Sequence, residues 1–219
     1  MTPLEKPPVA LEDRGLSGQR RMHSPSAARN KDAILEALRG VLPAQGEVLE
    51  IGCGTGEHAV HFAAALPGLA WRPSDRDADA RASAAEWIAV SGLANIAAPL
   101  EIDVTAPDWD AALGGQFDAI VSLNMIHIAP WAASEGLFAG AGRLLKRGGV
   151  LVLYGPFMRD GVHNADSNAA FDASLKARNA DWGVRDTADL EILARAAGLV
   201  LRQTIAMPAN NFTLAFEKI

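Results

Sequence analysis

The chain has 219 residues, of which 49% are hydrophobic, so it can bury one large core and a second full domain is not expected. Its formal net charge of −6 and its pI of about 5.3 do not provide the broad positive field of a polyanion-binding surface, which argues against DNA as a partner. A single cysteine excludes an intrachain disulfide, and no apolar run is as long as a membrane span, so we expect a cytoplasmic protein that does not contact a membrane.

The first predicted helix follows an N-terminal arm. Residues 1–22 mix prolines, glycines and charges without periodicity, and we interpret them as a flexible arm in front of a single domain that covers residues 23–219. Ser24 followed by Pro25 is typical of a helix start, and apolar residues then recur at helical spacing as far as Val41.

Strand-like and helix-like segments alternate from residue 48 to residue 154. The predicted strands are residues 48–51, 69–72, 100–104, 117–123 and 150–154. The predicted helices are residues 57–66, 77–90 and 131–145. Because the strands are too apolar to have a face in water, this α/β alternation predicts a parallel sheet that is covered by helices on both sides.

The pattern changes after the fifth predicted strand. Residues 155–186 are rich in polar side chains and contain one predicted helix, at 169–178, and we expect this segment to form a lid together with the N-terminal helix. A further helix is predicted at 189–197, followed by strands at 200–206 and 212–217. The connection between these two strands is too short for a parallel crossover, so they must be antiparallel neighbours.

The turn after the first predicted strand carries three glycines, Gly52, Gly54 and Gly56, directly before a helix. Such a turn presents backbone N–H groups and a helix N-terminus to a ligand. In the dinucleotide fingerprint the third glycine stands one position later, where this chain has Glu57, whose carboxylate would repel a pyrophosphate. A nicotinamide-dependent oxidoreductase is therefore disfavoured, and a P-loop is excluded because no Gly-Lys-Ser/Thr follows.

The string E-x-G-x-G-x-G from Glu50 to Gly56 resembles motif I of the class I S-adenosylmethionine-dependent methyltransferases. In that class the loop wraps the methionine part of the cofactor, which carries an ammonium, a carboxylate and a sulfonium but no phosphate. The resemblance implies that Glu50, Gly52, Gly54 and Gly56 bind this part, with Glu50 supplying a carboxylate where the ligand is cationic. The expected cofactor is S-adenosylmethionine, and the expected product is S-adenosylhomocysteine.

Acidic residues follow the second and third predicted strands. Asp75 stands about twenty residues beyond the glycines, where a carboxylate can accept hydrogen bonds from both ribose hydroxyls; Asp77 is the alternative ligand, and Asp75 could instead cap the next helix. In the methyltransferases the acidic residue at the position of Asp103 binds the adenine amino group, although Asp103 could instead only be solvated at the end of its strand. The resemblance further implies that the backbone N–H of the next residue, Val104, faces the adenine ring.

Further segments resemble one particular family. HSPSAARN at 23–30, SLNMIHIAPW at 122–131 and YGPF at 154–157, with the later SNAAFDASL and WGVRD, are similar to domain of unknown function 938, which includes the methyltransferase-like protein 26 group. The resemblance covers about residues 22–219. It implies an α/β, three-layer αβα Rossmann-like class I methyltransferase fold, whose seven-stranded sheet has the order 3-2-1-4-5-7-6 with strand 7 antiparallel.

Residues just beyond the fourth and fifth predicted strands are expected to face the methyl acceptor. His127 is a candidate for an acid–base or acceptor-orienting role because the ordinary pKa of histidine lies near neutrality; a buried structural histidine is the alternative. Tyr154 and His163 are further catalytic candidates, with core packing and loop solvation as their alternatives. Asn124 is expected to contact the cofactor or the acceptor, or else to cap the next helix.

Side chains of the first predicted helix can reach over the cofactor. Arg29 could clamp the methionine carboxylate, and Asn30 is a second candidate cofactor ligand, although both could lie on a solvated helix face. Trp131 and Trp182 could wall an apolar acceptor pocket or fill the core. We interpret Cys53 as a packing residue and assign no metal ligands.

Methyl transfer from a sulfonium is an in-line displacement, which chiefly requires an acceptor that is held close to the methyl group and kept free of water, so a base is optional. The signature Asn/Asp-Pro-Pro-Tyr/Phe, used by many enzymes that methylate nitrogens in nucleic acids and proteins, is missing after the fourth strand. The sequence therefore predicts a methyltransferase that acts on a small molecule, as a monomer or a homodimer. The alternatives are a protein or RNA methyltransferase and a non-catalytic S-adenosylmethionine-binding protein.

Overall fold

The computed structural model describes residues 21–219, and most of the predicted arm, residues 1–20, lies outside them. Helices α1 to α6 span Pro25–Val41, Glu57–Ala65, Ala78–Ser91, Trp131–Leu144, Asp166–Arg178 and Thr187–Ala196. Strands β1 to β10 span Gly46–Ile51, Leu69–Asp75, Leu100–Glu101, Phe117–Leu123, Leu145–Gly155, Phe157–Arg159, Val162–His163, Arg185–Asp186, Leu199–Met207 and Asn211–Lys218. Within residues 21–219, no helix combines the length and the apolar character that crossing a bilayer requires.

Seven strands form one sheet in the order β3-β2-β1-β4-β5-β10-β9. The strands from β3 to β5 pair in parallel, and β10 pairs antiparallel with both β5 and β9. Because β9 and β10 are the sixth and seventh strands of this sheet in chain order, the expected order with an antiparallel seventh strand is confirmed.

Helices cover both faces of the sheet, as successive residues of β1 show. Leu49 belongs to a buried cluster that contains Phe138 of α4, whereas the preceding residue, Val48, belongs to a second buried cluster that contains Phe62 of α2. Adjacent strand residues point to opposite faces, so the sheet has a hydrophobic core on each side. This arrangement is the expected three-layer αβα fold.

The third strand is shorter than the predicted residues 100–104 and ends at Glu101. Two residues further on, Asp103 Oδ1 accepts hydrogen bonds from the backbone N–H of Thr105 at 2.9 Å and from its hydroxyl at 2.7 Å. A side chain that binds the backbone in this way competes with strand pairing. The chain therefore turns at Asp103, at the carboxyl edge of the sheet.

The fifth strand begins at Leu145, five residues before the predicted start. Its register against β4 shifts between Phe117 and Ala119, which accommodates the extra residues. The Lys146 ammonium lies 2.8 Å from the Asp118 carboxylate, so its charge pairs with a residue of β4.

The lid segment contains a second sheet that the sequence pattern does not reveal. Strands β6, β7 and β8 are two or three residues long and pair in the order β7-β6-β8. Such short strands carry no detectable alternation of polar and apolar residues. Helix α5 follows β7 and begins at Asp166, three residues before the predicted helix.

Backbone contacts fasten the chain to α3 just before α1 begins. The N–H of Met22 donates to Ser83 Oγ at 2.8 Å, and the Met22 carbonyl accepts from Trp87 Nε1 at 3.1 Å. Ser24 then caps α1 through its hydroxyl, as the sequence predicts, by accepting from the N–H of Ala27. These contacts hold the residues in front of α1 against α3.

Candidate active site

A cleft of about 1320 Å³ lies at the carboxyl ends of the parallel strands. Its wall includes Ile51 at the end of β1, Asp75 at the end of β2, Leu123 at the end of β4 and Tyr154 near the end of β5. Open α/β sheets bind ligands at this edge. The volume exceeds the roughly 300–1,000 Å³ of a pocket for one drug-sized ligand, so there is room for two ligands side by side.

The glycine turn forms one end of the cleft. Gly52, Gly54 and Gly56 have φ values of 77°, 56° and 89°, in the left-handed region that favours glycine. Gly52 and Gly54 line the cleft. Gly56 does not line it but packs against α3, where a Cβ atom on this residue would lie 2.5 Å from Ala84 Cα. Two of the three expected cofactor glycines therefore face the cleft, and the third allows α2 and α3 to approach each other.

The turn holds the Asp75 carboxylate at the cleft wall. Asp75 Oδ2 accepts from the N–H of Gly54 at 2.9 Å, and Oδ1 accepts from the N–H of Asp77 at 3.0 Å. Each oxygen keeps further acceptor capacity for a ligand. The Asp77 carboxylate is used differently, because its Oδ1 accepts from the backbone N–H groups of Asp79 and Ala80 and so caps α3.

Asp103 and Val104 both line the cleft, beyond the end of β3. Burial raises the pKa of Asp103, but the two hydrogen bonds from Thr105 and the charge of Arg76, 3.7 Å away, outweigh this effect and lower the pKa below its ordinary value. The Asp103 carboxylate is therefore ionised at neutral pH. The next residue, Val104, is apolar and buried.

Glu50 lies beneath the glycine turn and is only 1% exposed. Its Oε2 accepts from Trp71 Nε1 at 2.7 Å. Burial raises the pKa of Glu50 to about 7, with a further contribution from the charge of Asp75, and the bond from Trp71 opposes the rise only in part. Glu50 does not line the cleft, so the direct contact with a ligand that the sequence leads us to expect is not part of this geometry.

The start of α1 is tied to the start of α2 by Glu57. Its Oε2 accepts from the N–H of Ser24 at 2.6 Å and from the Thr55 hydroxyl at 3.1 Å, and its Oε1 lies 3.3 Å from His23 Nδ1. In the sequence, Glu57 stands out only because its carboxylate would repel a pyrophosphate. Its contacts show that it attaches α1 to the end of the glycine turn.

Helix α1 contributes Asn30 to the cleft but not Arg29. Arg29 is exposed, and its Nη2 lies 3.4 Å from Ser26 Oγ. Asn30 Oδ1 pairs at 2.8 Å with Nε2 of His58, a cleft residue that sequence analysis did not select. His58 stacks on Phe62 at 5.4 Å, and burial lowers its pKa to about 4, so it is neutral at physiological pH.

Tyr154 and Asn124 line the cleft beyond the glycine turn. Burial raises the pKa of Tyr154, while hydrogen bonds with the side chains of Asn30 and Asn211 lower it by a smaller amount. The Tyr154 hydroxyl is therefore protonated at neutral pH and can orient a ligand but cannot act as a base. Asn124 has a left-handed backbone with φ 59°, and its N–H donates to the Tyr154 carbonyl at 2.8 Å.

His127 lies outside the cleft wall and is 1% exposed. Its Nδ1 accepts from the N–H of Arg185 at 3.3 Å, and its ring packs edge-on against Phe157 and directly against the backbone of Gly155. Burial, and then the charge of Arg185, lower its pKa to about 3. The expected acid–base role does not fit this placement, and the alternative of a buried structural histidine does.

His163 is likewise placed away from the cleft wall. Its Nε2 lies 3.5 Å from Asp172 Oδ2, an oxygen that also accepts from Lys176 Nζ at 2.6 Å. Asp172 Oδ1 accepts from the N–H of Val184 at 2.8 Å. This cluster fastens α5 to the segment before β8, so His163 belongs to a structural brace and does not fit the expected catalytic role.

Arg185 holds the loop after β4 in place. Its Nε donates to the Ile126 carbonyl at 2.9 Å, and its Nη2 donates to the carbonyls of Ala129 at 2.5 Å and Asp181 at 3.0 Å. Its guanidinium lies over the ring of Trp131 at 5.7 Å. Trp131 thus packs under an arginine, whereas Trp182 lines the cleft. The sequence could not reveal this role because the partners of Arg185 are backbone carbonyls.

The histidine pKa values predict that neither His58 nor His127 titrates between pH 5 and 8. Proton–carbon correlation spectra recorded over this range should show constant ring shifts for both residues, with His58→Gln and His127→Gln used for assignment. Because the unfolded imidazoles have an ordinary pKa near 6.5, the free energy of unfolding should fall as pH drops from about 6.5 towards 4. A midpoint near neutrality for His127 would restore its candidacy as a catalytic base.

Several solved structures with similar folds are methyltransferases. The mitomycin 7-O-methyltransferase MmcR has a TM-score of 0.73 at 15% identity, with 90% of this chain and 55% of that chain covered. CalO1, a methyltransferase of calicheamicin biosynthesis solved with S-adenosylhomocysteine, has a TM-score of 0.71 at 20% identity, with 89% and 54% covered. Human N-acetylserotonin methyltransferase, solved with S-adenosylmethionine, has a TM-score of 0.69 at 14% identity, with 88% and 52% covered. The fold is that of the class I methyltransferases.

Comparison of the sequence with protein-family models identifies the family of the chain. The model of the family described as "Protein of unknown function (DUF938)" matches residues 21–218, and the chain belongs to this family. A curated relative, ribosomal RNA small subunit methyltransferase C of Sodalis glossinidius, is 36% identical over 112 residues, which are 50% of this chain and 30% of that protein. The chain thus spans about half the length of the similar structures and less than a third of the curated relative.

Proposed function

We propose that the protein is an S-adenosylmethionine-dependent methyltransferase that acts on a small molecule. The observation that carries the proposal is the Asp75 carboxylate, which the N–H groups of Gly54 and Asp77 hold at the cleft wall. Each of its two oxygens can accept one more hydrogen bond, which matches the two hydroxyls of a ribose. Asp103, at the end of the next strand, supplies a second acceptor beside the apolar Val104, as an adenine ring requires.

The other cleft residues on this side fit the cofactor as well. Gly52 and Gly54 expose backbone to the cleft without side chains, as close contact with the methionine part would need. Glu50 lies below them and supplies negative charge near a cationic ligand when it is ionised. When bound, S-adenosylmethionine supplies an activated methyl group on a sulfonium, so the chain itself needs only to hold the acceptor and exclude water.

The covering of the cleft supports a small acceptor. Helix α1 contributes to one wall, α5 to another, and the turn between β9 and β10 to a third. The two last elements are fastened together, since Asn210 O accepts from the side-chain amides of Asn164 at 3.1 Å and Asn168 at 2.9 Å. RNA is the second candidate acceptor, because the curated relative is named as a ribosomal RNA methyltransferase. The expected monomer or homodimer stays a prediction.

Calorimetric titration of the protein with S-adenosylhomocysteine tests the cofactor, with NAD as the control ligand. We expect micromolar binding of the first and no binding of the second. Binding of NAD alone would mean that the glycine turn serves a redox cofactor and would refute the proposal. Methylation of an RNA fragment in preference to small acceptors would agree with the proposed cofactor but would refute the proposal that the acceptor is a small molecule.

Asp75→Asn should weaken binding of S-adenosylhomocysteine by roughly 5- to 150-fold, because a charged hydrogen bond contributes about 1–3 kcal/mol. Asp77→Asn is the matched control, since it removes the same charge two residues away and asparagine caps a helix as well as aspartate does. Calorimetry on both variants should show a near-normal affinity for Asp77→Asn. If Asp77→Asn lost more affinity for S-adenosylhomocysteine than Asp75→Asn, the ribose contact would have to be assigned to Asp77.

A further inference from the structure

The cleft has a second side, away from the glycine turn, which we call the acceptor side. It is formed by Tyr154, by the part of α5 from Ser167 to Ser174, by residues 179–182 and by residues 209–211. The proposed cofactor residues lie at the other side. The acceptor side therefore determines which molecule could receive a methyl group.

Amide and hydroxyl groups supply most of the polar atoms of the acceptor side. Many of the amide N–H donors are already used. Asn168 Nδ2 donates to Asn164 Oδ1 and to Asn210 O, Asn210 Nδ2 donates to Ser167 Oγ, and Asn211 Nδ2 donates to Pro208 O. Since these amide N–H groups face protein, the three asparagines leave their side-chain oxygen atoms for a ligand, and such atoms pair with hydroxyl or N–H groups.

Charge on the acceptor side is negative. Among residues 21–219, Asp181 is the charged residue that lines this side, and Arg76 is the one lysine or arginine that lines any part of the cleft. Arg76 lies near Asp103, on the cofactor side. The neighbouring cations have other partners: Lys176 pairs with Asp172, and Arg185 donates to three carbonyls and interacts with the charges of Asp172 and Asp181. A carboxylate or phosphate here would lose water without gaining a cation, close to the Asp181 charge.

Apolar surface completes the acceptor side. Phe171 and Ala170 of α5 and Trp182 line it between the polar groups. Aromatic side chains of this kind bind the apolar framework of a ligand, while the few polar atoms fix its orientation.

We propose that the methyl acceptor is an uncharged small molecule that presents hydroxyl or N–H donors on an apolar framework, and that acids are rejected. This inference rests on the proposed function, because it assigns the acceptor of the same cleft. The oxygen atoms of the acceptor side bind the donors, Phe171 and Trp182 bind the framework, and Asp181 repels anions.

The test uses the protein saturated with S-adenosylhomocysteine and a panel of hydroxylated benzamides, each paired with the benzoate of the same hydroxylation pattern. Members of a pair differ in one charge and little else. Ligand-observed NMR should show that amides bind at least about tenfold more tightly than their benzoates. Equal or tighter binding of the benzoates, or no binding of any panel member, would overturn the inference. Failure of S-adenosylhomocysteine to bind would instead overturn the proposed function.

Two lysine substitutions on α5 make the test specific for charge in the cleft. Ala170 lines the cleft and Ala169 does not, although both are exposed residues of the same helix. Ala170→Lys should shift the amide-to-benzoate preference towards the benzoate by about tenfold, and Ala169→Lys should leave it unchanged. An equal shift in both variants would show that overall charge, not the acceptor side, sets the preference and would refute the inference.

Discussion

Gly56→Ala is expected to lower the free energy of unfolding by about 2–5 kcal/mol. The backbone at Gly56 has φ 89°, and a side chain in this conformation costs about 1–2 kcal/mol. The added Cβ would also lie 2.5 Å from Ala84 Cα and 2.7 Å from Ala84 Cβ, and overpacking of this kind typically costs about 1–3 kcal/mol. Because the contact is with the backbone of α3, no side-chain rotation can relieve it.

Urea denaturation of Gly56→Ala measures the loss, and Gly40→Ala provides the control. Gly40 lies within α1, and nothing approaches within 4 Å of the position of its Cβ. Alanine there should stabilise the protein by about 0.5–1 kcal/mol, since glycine is unfavourable inside a helix. Equal stability of Gly56→Ala and the natural protein would show that α2 and α3 can separate at little cost, and that the third glycine has another purpose.

Glu50→Gln is expected to stabilise the free protein at alkaline pH and to have little effect at pH 4.5. Burial raises the pKa of Glu50 from 4.5 to about 7, so between these values the folded protein holds a proton that the unfolded chain has lost. The stability of the natural protein therefore falls as pH rises from about 4.5 through 7, by roughly 3 kcal/mol. Glutamine carries no charge and can still accept the hydrogen bond from Trp71 Nε1.

Denaturation at pH 4.5 and at pH 8.5 checks this expectation. The difference in unfolding free energy between Glu50→Gln and the natural protein should be near zero at the lower pH and roughly 3 kcal/mol at the higher one. Glu36→Gln is the control, because Glu36 is exposed on α1 and surface substitutions usually change stability by less than about 0.5 kcal/mol. A difference that does not vary with pH would mean that Glu50 is ionised in the free protein.

The order of the sheet could be predicted because local signals determine it. Apolar strands alternate with helices as far as β5, and the five-residue connection before residue 212 requires an antiparallel pair. The lengths of the strands were harder to predict. The early end of β3 depends on the side chain of Asp103, and the early start of β5 depends on a register shift opposite Phe117. Neither feature changes the hydrophobic pattern from which strands are recognised.

Placement in the cleft could be predicted from the sequence for Asp75 and Asp103 but not for His127. Asp75 and Asp103 stand at the ends of strands, and the carboxyl ends of parallel strands meet at one edge, so position along the chain brings both residues to the cleft. His127 also follows a strand, but its exposure depends on Phe157 and Gly155, which pack over its ring. Contacts between side chains distant in sequence decide burial, and a single sequence does not contain them.

The join between α5 and the turn of the terminal hairpin has a consequence for how specificity can diversify. The side-chain amides of Asn164, just before α5, and of Asn168, within it, bind the Asn210 carbonyl, so this wall of the cleft is built from the last third of the chain. The glycine turn and Asp75 come from the first half. Insertions or substitutions around residues 164–168 and 208–211 can therefore remodel this wall of the cleft while the glycine turn and Asp75 stay unchanged.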